Sequence, residues 1–410
     1  MTEVSVMNLR QKDALAAELA SSLLRDMPDH DALVGMVRER IACSDEDARD
    51  VIYGVSAQVN EALFPPLTQL ELVLTEGCNL GCAYCFEKDM LGYRRMPSEV
   101  ARRAVDLLML YSRDRQDLDI AHFGGEPTLS FRTVREVTEY AEQRAAVCGK
   151  RVHFNMTTNG VLLNEEIARY CAAHDIRVLL SIDGGRIAHD RYRVDKRGQG
   201  TFDRAMQGLA ILKRHQPWIG IKMTVMPDNV GRLADDVRML RDAGVNQFTI
   251  GHATGVPWFD ADMTAYVGAL GDIRVWYDQH KADDLRIDDI EDDGPDGAYF
   301  GCQAGRSSVS VSVDGQISPC SKVLALNNRD LLGKLGDVWL GLTHVANRVD
   351  VVGCGKLKAA AAAQGIASDY QGGCFVSNYN ETGSLFDPSL MEHRLAMMQK
   401  SMCAGCGARH

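Results

Sequence analysis

Cys78-Asn-Leu-Gly-Cys82-Ala-Tyr-Cys85 decides how this chain is read. It follows Leu70-Glu-Leu-Val-Leu-Thr75, an apolar run of strand length, so the three cysteines sit in the loop that leaves a strand. Thiolates are soft ligands, and a short loop that presents several of them suits an iron–sulfur cluster. A structural zinc ion takes four protein ligands, and this loop holds no fourth Cys or His. Three thiolates on a cubane cluster leave one iron open to an external ligand.

Downstream of that loop the pattern repeats as strand, loop, helix from residue 67 to about 280. Strands are predicted at 70–75, 118–123, 152–157, 177–182, 219–225 and 247–251. Amphipathic helices are predicted near 98–112, 131–147, 164–174, 202–214, 230–243 and 261–280. Such units in series give an α/β fold with a parallel sheet and right-handed crossovers. Chemistry then gathers in the loops at the carboxyl ends of the strands. The cysteine loop is one of these.

The other marked loops fall at equivalent places. Gly124-Gly125-Glu126-Pro127 ends the second strand, and paired glycines let backbone approach a ligand while exposed carbonyls accept from an ammonium. Thr158-Asn159-Gly160 ends the third strand and Ser181-Ile-Asp183-Gly184 the fourth. Asp183 is the better candidate for a ribose, because a carboxylate accepts from both hydroxyls of a diol. Arg193 can pair with a ligand carboxylate through two parallel bonds.

Taken together these motifs resemble the radical S-adenosylmethionine (radical SAM) enzymes, whose signature is C-x3-C-x-aromatic-C with Tyr84 in the aromatic slot. The resemblance spans residues 70–255. It implies a partial (β/α)6 TIM-like barrel and a [4Fe-4S] cluster on Cys78, Cys82 and Cys85. It also implies S-adenosylmethionine bound by Tyr84, Gly124, Gly125, Glu126, Pro127, Asn159, Ser181, Asp183 and Arg193, with the Gly-Gly-Glu-Pro loop at the methionyl amino group. In that family the reduced cluster donates an electron to the bound sulfonium. The 5′-deoxyadenosyl radical so released removes an unactivated hydrogen from the substrate.

After residue 300 cysteines recur at Cys302, Cys320, Cys354, Cys374, Cys403 and Cys406. Cys302 with Gly315-Gln-Ile-Ser-Pro-Cys320, then Gly372-Gly373-Cys374, resembles the SPASM extension of peptide-modifying members, which carries auxiliary [4Fe-4S] clusters. The extension's C-x2-C-x5-C-x3-C run is broken, since Leu357 stands where a cysteine would follow Cys354. The chain reads Asp387-Pro-Ser-Leu390 where a late cysteine would stand. Cys302/Cys320 with Cys403/Cys406 would alternatively suit the shorter one-cluster twitch extension, so one or two auxiliary clusters are expected; with two, at least one has a non-Cys or unusual ligand, because six thiolates cannot fill eight positions.

The remaining divisions follow from composition. Residues 1–66 read as a helical region, with Leu15, Leu19 and Leu23 on one face, closed by Pro65-Pro66. Residues 67–280 are the barrel, 281–300 an acidic linker and 301–410 the Cys-rich domain, in which Val309-Ser-Val-Ser-Val313 and Asp314-Gly315 read as strand and hairpin turn. A net charge of −11 argues against sequence-independent nucleic-acid binding and against an anionic membrane surface. No apolar run reaches membrane-spanning length and no signal-peptide core is visible, so twelve clustered cysteines suggest metal ligands in a reducing cytoplasm.

Three functional classes compete. The first is an oxidising maturase of a ribosomally made peptide, served by a flavodoxin or ferredoxin donor. The second is a formylglycine-forming enzyme of the anaerobic sulfatase-maturing type. That type carries an Asp after the second C-terminal cysteine, where this chain has Ser321. The third is a dehydrogenase of a small metabolite. A pure electron carrier leaves Gly124–Pro127 unexplained. No residue of the sequence identifies the catalytic base.

Overall fold

The computed structural model describes residues 9–25, 29–291, 302–326, 333–370 and 372–406. Its centre is a sheet in which β1 (Gln69–Val73), β2 (Asp117–Phe123), β3 (Arg151–Thr158), β4 (Ile176–Ser181), β5 (Gly220–Val225) and β6 (Gln247–His252) lie side by side in chain order, all parallel. Register aligns Leu70 with Ile120, Ile120 with Phe154 and Phe154 with Ile176. This row is buried and forms the floor on which the crossover helices pack. Those helices are α4 (Ser98–Tyr111), α5 (Phe131–Cys148), α6 (Glu165–Ala173), α8 (Phe202–Lys213), α9 (Leu233–Asp242) and α10 (Asp260–His280). Each predicted strand and helix of this region is present within a few residues of its expected bounds. One helix was not expected: α7 (Arg186–Tyr192) follows β4 inside the stretch read as loop.

Both open edges of the sheet are capped by chain from beyond residue 280. An edge strand exposes a row of unpaired N–H and C=O groups. At the β1 edge, β8 (Ser308–Val311) pairs in parallel, Val309 opposite Leu70, and turns through Asp314-Gly315 into antiparallel β9 (Gln316–Ser318) and then β10 (Gly336–Asp337). Gly315 lies at φ +88°, as the hairpin turn requires. The hairpin assigned to a separate C-terminal domain therefore extends the barrel sheet itself. At the β6 edge, β7 (Arg286–Ile287) pairs in parallel, and Asp288 accepts from Gln247 Nε2 at 3.0 Å and Thr249 Oγ1 at 2.6 Å. The first half of the expected acidic linker is thus strand and short helix, because Ile287 is buried and Asp288 has partners there. Residues 292–301 lie outside the described residues.

Helices α1 (Leu9–Leu23), α2 (His30–Ile41) and α3 (Asp45–Leu63) bury Leu15, Leu19, Leu23, Leu33, Val37 and Ile52 against Leu340 and Val345 of the C-terminal segment. Ser44 caps α3 in a reciprocal box with Asp47. This cluster docks beside the amino end of the barrel: Arg113 donates to the Asn60 and Phe64 carbonyls at 2.9 Å. The wholly buried Arg348 ties the junction together. It donates to Asn60 Oδ1 at 2.7 Å, Gly305 O at 2.9 Å and Arg306 O at 3.0 Å, over the face of Phe64. Burial lowers its pKa to about 9, and carbonyl oxygens take the place of a carboxylate partner. No residue of α1–α3 lines the cavity described next.

Candidate active site

The strand ends converge on a cavity of about 450 Å³. Its wall includes Cys78, Cys82 and Cys85 after β1, Gly124–Glu126 after β2, Asn159 after β3, Ser181 at the end of β4, and Thr224 and His252 on β5 and β6. The C-terminal segment adds Lys322, Cys374 and Glu392. The barrel's chemistry-bearing face and the Cys-rich segment therefore share one chamber.

The cysteine loop is held from several sides. Glu76 N donates to Arg94 O, Gly81 N to Val194 O at 2.8 Å, and Leu80 N lies 3.5 Å from Cys78 Sγ. Burial pushes the thiols up, Cys78 to about 12 and Cys85 to about 11. Buried thiolates thus need a positively charged partner to stay ionised, which is what iron supplies. Among the described residues no three His, Cys, Asp or Glu side chains converge on one metal-ion position. A cubane takes its thiolates on separate irons, so the loop does not have to converge on a point. In donor type the trio fits such a cluster.

Gly124 and Gly125 are demanded by this chain's own backbone. A Cβ at Gly124, where φ is +132°, would stand 2.5 Å from Thr75 O, and one at Gly125 would stand 2.5 Å from Gly77 O. They let β2's loop press against the segment that carries Cys78, and both still line the cavity. Gly125→Ala should displace that segment, lower the iron held by the cysteine loop and cost about 1–3 kcal/mol of stability. Iron analysis beside urea unfolding checks this, and unchanged values for both would contradict it.

Glu126 is buried, lines the cavity and is held by bonds within the protein. It accepts from Thr128 N at 3.1 Å, Thr128 Oγ1, Thr158 Oγ1 at 2.6 Å and Asn159 N at 2.8 Å. Burial raises its pKa against the pull of those bonds. Its side chain locks β2's loop to β3's. Asn159 Nδ2 in turn donates to Asn79 Oδ1 at 2.8 Å, inside the cysteine loop. Pro127 starts a short 3-10 helix and lies off the cavity wall.

Asp183 is engaged from three sides by the protein itself. Its oxygens accept from Arg193 Nε at 2.9 Å and Nη2 at 3.0 Å, from Thr224 N at 2.9 Å and from the Tyr84 hydroxyl. No lone pair is left over for a ribose diol. Arg193 gives Nε and Nη2 bonds to Asp183 and also lines the cavity. Burial works against its charge, yet Asp183, Tyr84 and Cys82 together raise its pKa above the ordinary value. Arg193 also lies over the Tyr84 ring, 5.4 Å from its centroid. The Tyr84–Asp183–Arg193 group braces the loop at Cys82, with Tyr84 and Arg193 on the cavity wall. Ser181 lines the cavity, and its hydroxyl makes no hydrogen bond among the described residues.

In the C-terminal segment Cys302, Cys320 and Cys374 lie within electrostatic reach of one another. Burial and then its neighbours push Cys320 up to about 12. Cys374 reaches the cavity wall. Cys354 is also within electrostatic reach of Cys302; at φ +50°, its thiol donates to Val351 O at 3.2 Å beside Leu357, Tyr370 and Phe386. Cys403 and Cys406 fall in the last turns of the helix Leu390–Cys406, and their side chains lie outside the described residues.

Comparison with known proteins agrees with this geometry. Residues 72–240 match the model of the radical SAM superfamily. This chain carries a radical SAM domain. The superfamily's cofactors are a [4Fe-4S] cluster and S-adenosylmethionine. Over 177 residues (42% of this chain, 46% of the relative) it is 29% identical to the cysteine-type anaerobic sulfatase-maturating enzyme of Clostridium novyi. Over 258 residues (61% and 59%) it is 26% identical to the sporulation killing factor maturation protein SkfB of Bacillus subtilis. The chain thus spans about half the length of these curated relatives. In fold it resembles anSMEcpe with bound AdoMet and the Cp18Cys peptide (TM-score 0.66, 18% identity, 84% of this chain and 98% of that one). It also resembles Streptococcus suis SuiB bound to precursor peptide SuiA (TM-score 0.57, 15% identity, 92% and 86%).

The radical SAM domain's cavity also holds residues that no motif marked. Glu87, two places after Cys85, is buried, and its Oε1 has no hydrogen-bond partner. Burial, with Glu71 and Glu126 nearby, raises its pKa to about 8. Its adjacency to the cysteine motif was the available signal. Lys322 and Glu392 had none, because they reach the cavity only through tertiary packing, whereas His252 directly follows the sixth predicted strand.

Proposed function

We propose that this radical SAM domain cleaves S-adenosylmethionine reductively and, with the C-terminal segment, oxidises a side chain of a ribosomally made peptide by two electrons. The observation that carries this reading is the shared chamber: Cys78, Cys82 and Cys85 line the same cavity as Cys374. A [4Fe-4S] cluster on the first three cysteines supplies the reducing electron. In this reading S-adenosylmethionine lies along Gly124–Glu126, Asn159 and Ser181, with Tyr84, Asp183 and Arg193 bracing the loop behind it. Cys302, Cys320 and Cys374 hold one auxiliary cluster that takes the second electron, which a two-electron oxidation needs and a redox-neutral rearrangement does not. A flavodoxin or ferredoxin is the expected donor.

The likenesses to SkfB and to the peptide-bound fold neighbours support a peptide substrate. A second reading, formation of a carbonyl at a Cys or Ser of a protein, is favoured by the likeness to the Clostridium novyi enzyme. Against it, Ser321 stands where that type has an Asp, and it does not line the cavity. No helix among the described residues is long and apolar enough to cross a membrane, and a cytoplasmic setting suits the free thiols.

The test is co-expression with each short open reading frame beside the gene, followed by weighing the peptides. A cross-linked peptide lighter by about two daltons is expected. Unchanged peptides, with a small metabolite driving 5′-deoxyadenosine release, would overturn the peptide reading.

A further inference from the structure

His252 closes β6, Glu392 lies in the first turn of the helix Leu390–Cys406, and the two meet on the cavity wall. His252 Nε2 lies 3.0 Å from Glu392 Oε1, with side chains 18% and 16% exposed. The pair joins the barrel to the C-terminal segment and has no part in the brace around Asp183. Burial alone would raise the Glu392 pKa, but the His252 hydrogen bond outweighs it, helped by Ser377 and the Lys322 charge, and the carboxyl is held below its ordinary value.

That ionisation fixes the tautomer. A carboxylate can only accept, so Nε2 carries the hydrogen and Nδ1 of the neutral ring keeps a lone pair. Among the described residues no group hydrogen-bonds Nδ1. The ring is steadied edge-on by Trp258 at 5.9 Å and Tyr266 at 6.2 Å, and Trp258 is itself anchored by its Nε1 donating to Ala253 O at 3.0 Å. An oriented imidazole with one nitrogen tied to a carboxylate and the other unclaimed is the arrangement of a general base.

Resting on the function proposed above, we propose that His252 is the base of the substrate oxidation, its Nδ1 taking the proton the substrate gives up while Glu392 holds the ring. The balance is as follows. A substrate C–H bond breaks homolytically, and its hydrogen atom leaves in 5′-deoxyadenosine. The substrate radical then gives one electron to an iron–sulfur acceptor. One proton, from the attacking S–H, N–H or O–H group or from a second C–H, goes to Nδ1 as the new bond forms. The substrate has lost two hydrogens, and the carboxylate of Glu392 stabilises the imidazolium.

The test uses the cluster-loaded full chain, dithionite, S-adenosylmethionine and the compound that the wild type oxidises, peptide or metabolite, deuterated at the attacked carbon. H252Q keeps a donor towards Glu392 and lacks the base. Its yield of oxidised product per deuterated 5′-deoxyadenosine is expected to fall by about a hundredfold or more, the range of lost general-base catalysis. Substrate should return with solvent hydrogen in place of deuterium, and added imidazole should restore part of the product in H252A. An unchanged ratio in H252Q overturns the proposal. A metabolite as the wild-type substrate refutes the peptide reading, while the H252Q ratio still decides the base. A readout without turnover is diethyl pyrocarbonate labelling of the unloaded chain: His252 should be carbethoxylated, and a resistant His252 means Nδ1 is closed off and the proposal fails.

Discussion

Replacing Cys78, Cys82 and Cys85 together by Ala removes about four irons from the reconstituted chain and abolishes 5′-deoxyadenosine formation. The reason is chemical rather than structural. The loop's backbone is held by Glu76, Gly81 and Gly125 amides bonding to Arg94, Val194 and Thr75 carbonyls, none of which needs the sulfurs. The triple variant should therefore stay folded and keep any iron bound at Cys302, Cys320 and Cys374. Iron analysis beside circular dichroism separates the two effects. Iron content equal to wild type would mean that the cluster sits elsewhere.

Asp183→Ala is expected to destabilise the fold by about 3–5 kcal/mol, the cost of leaving a buried guanidinium without its counter-charge. Arg193 and Asp183 are both buried, and removing the carboxylate also strips partners from Thr224 N and from the Tyr84 hydroxyl. Arg193 bears electrostatically on Cys82, so cluster occupancy should fall with stability. Urea unfolding measures the first effect and iron content the second. A variant of unchanged stability that merely binds S-adenosylmethionine more weakly would restore the ribose role that the sequence suggested for Asp183.

The contrast between those two sites shows what a sequence can carry. The cysteine loop was legible because spacing alone limits what three thiolates can bind. The barrel was legible because each βα unit writes its own periodicity: the register of Leu70, Ile120 and Phe154 repeats what their apolar runs foretold. Asp183 was legible as a strand-end residue, but its partners within the protein were not, because they come from positions 84, 193 and 224. Gly124 and Gly125 were likewise recognised as close-approach glycines, but the approaching group is Thr75–Gly77. Strand β7 escaped notice, and β8 was read as a strand without its partner, because nothing local distinguishes a strand of a separate domain from one that pairs with β1 or β6. The pairing of His252 with Glu392 was invisible for the same reason, the two being 140 positions apart.

The central claim is that one chamber couples cofactor cleavage to a two-electron oxidation of a peptide. The most direct measurement is the amount of 5′-deoxyadenosine released per peptide that loses about two daltons, in an anaerobic reaction of the reconstituted chain. The account predicts one for one. 5′-Deoxyadenosine accumulating beside peptide of unchanged mass, or peptide changed with none released, would contradict it.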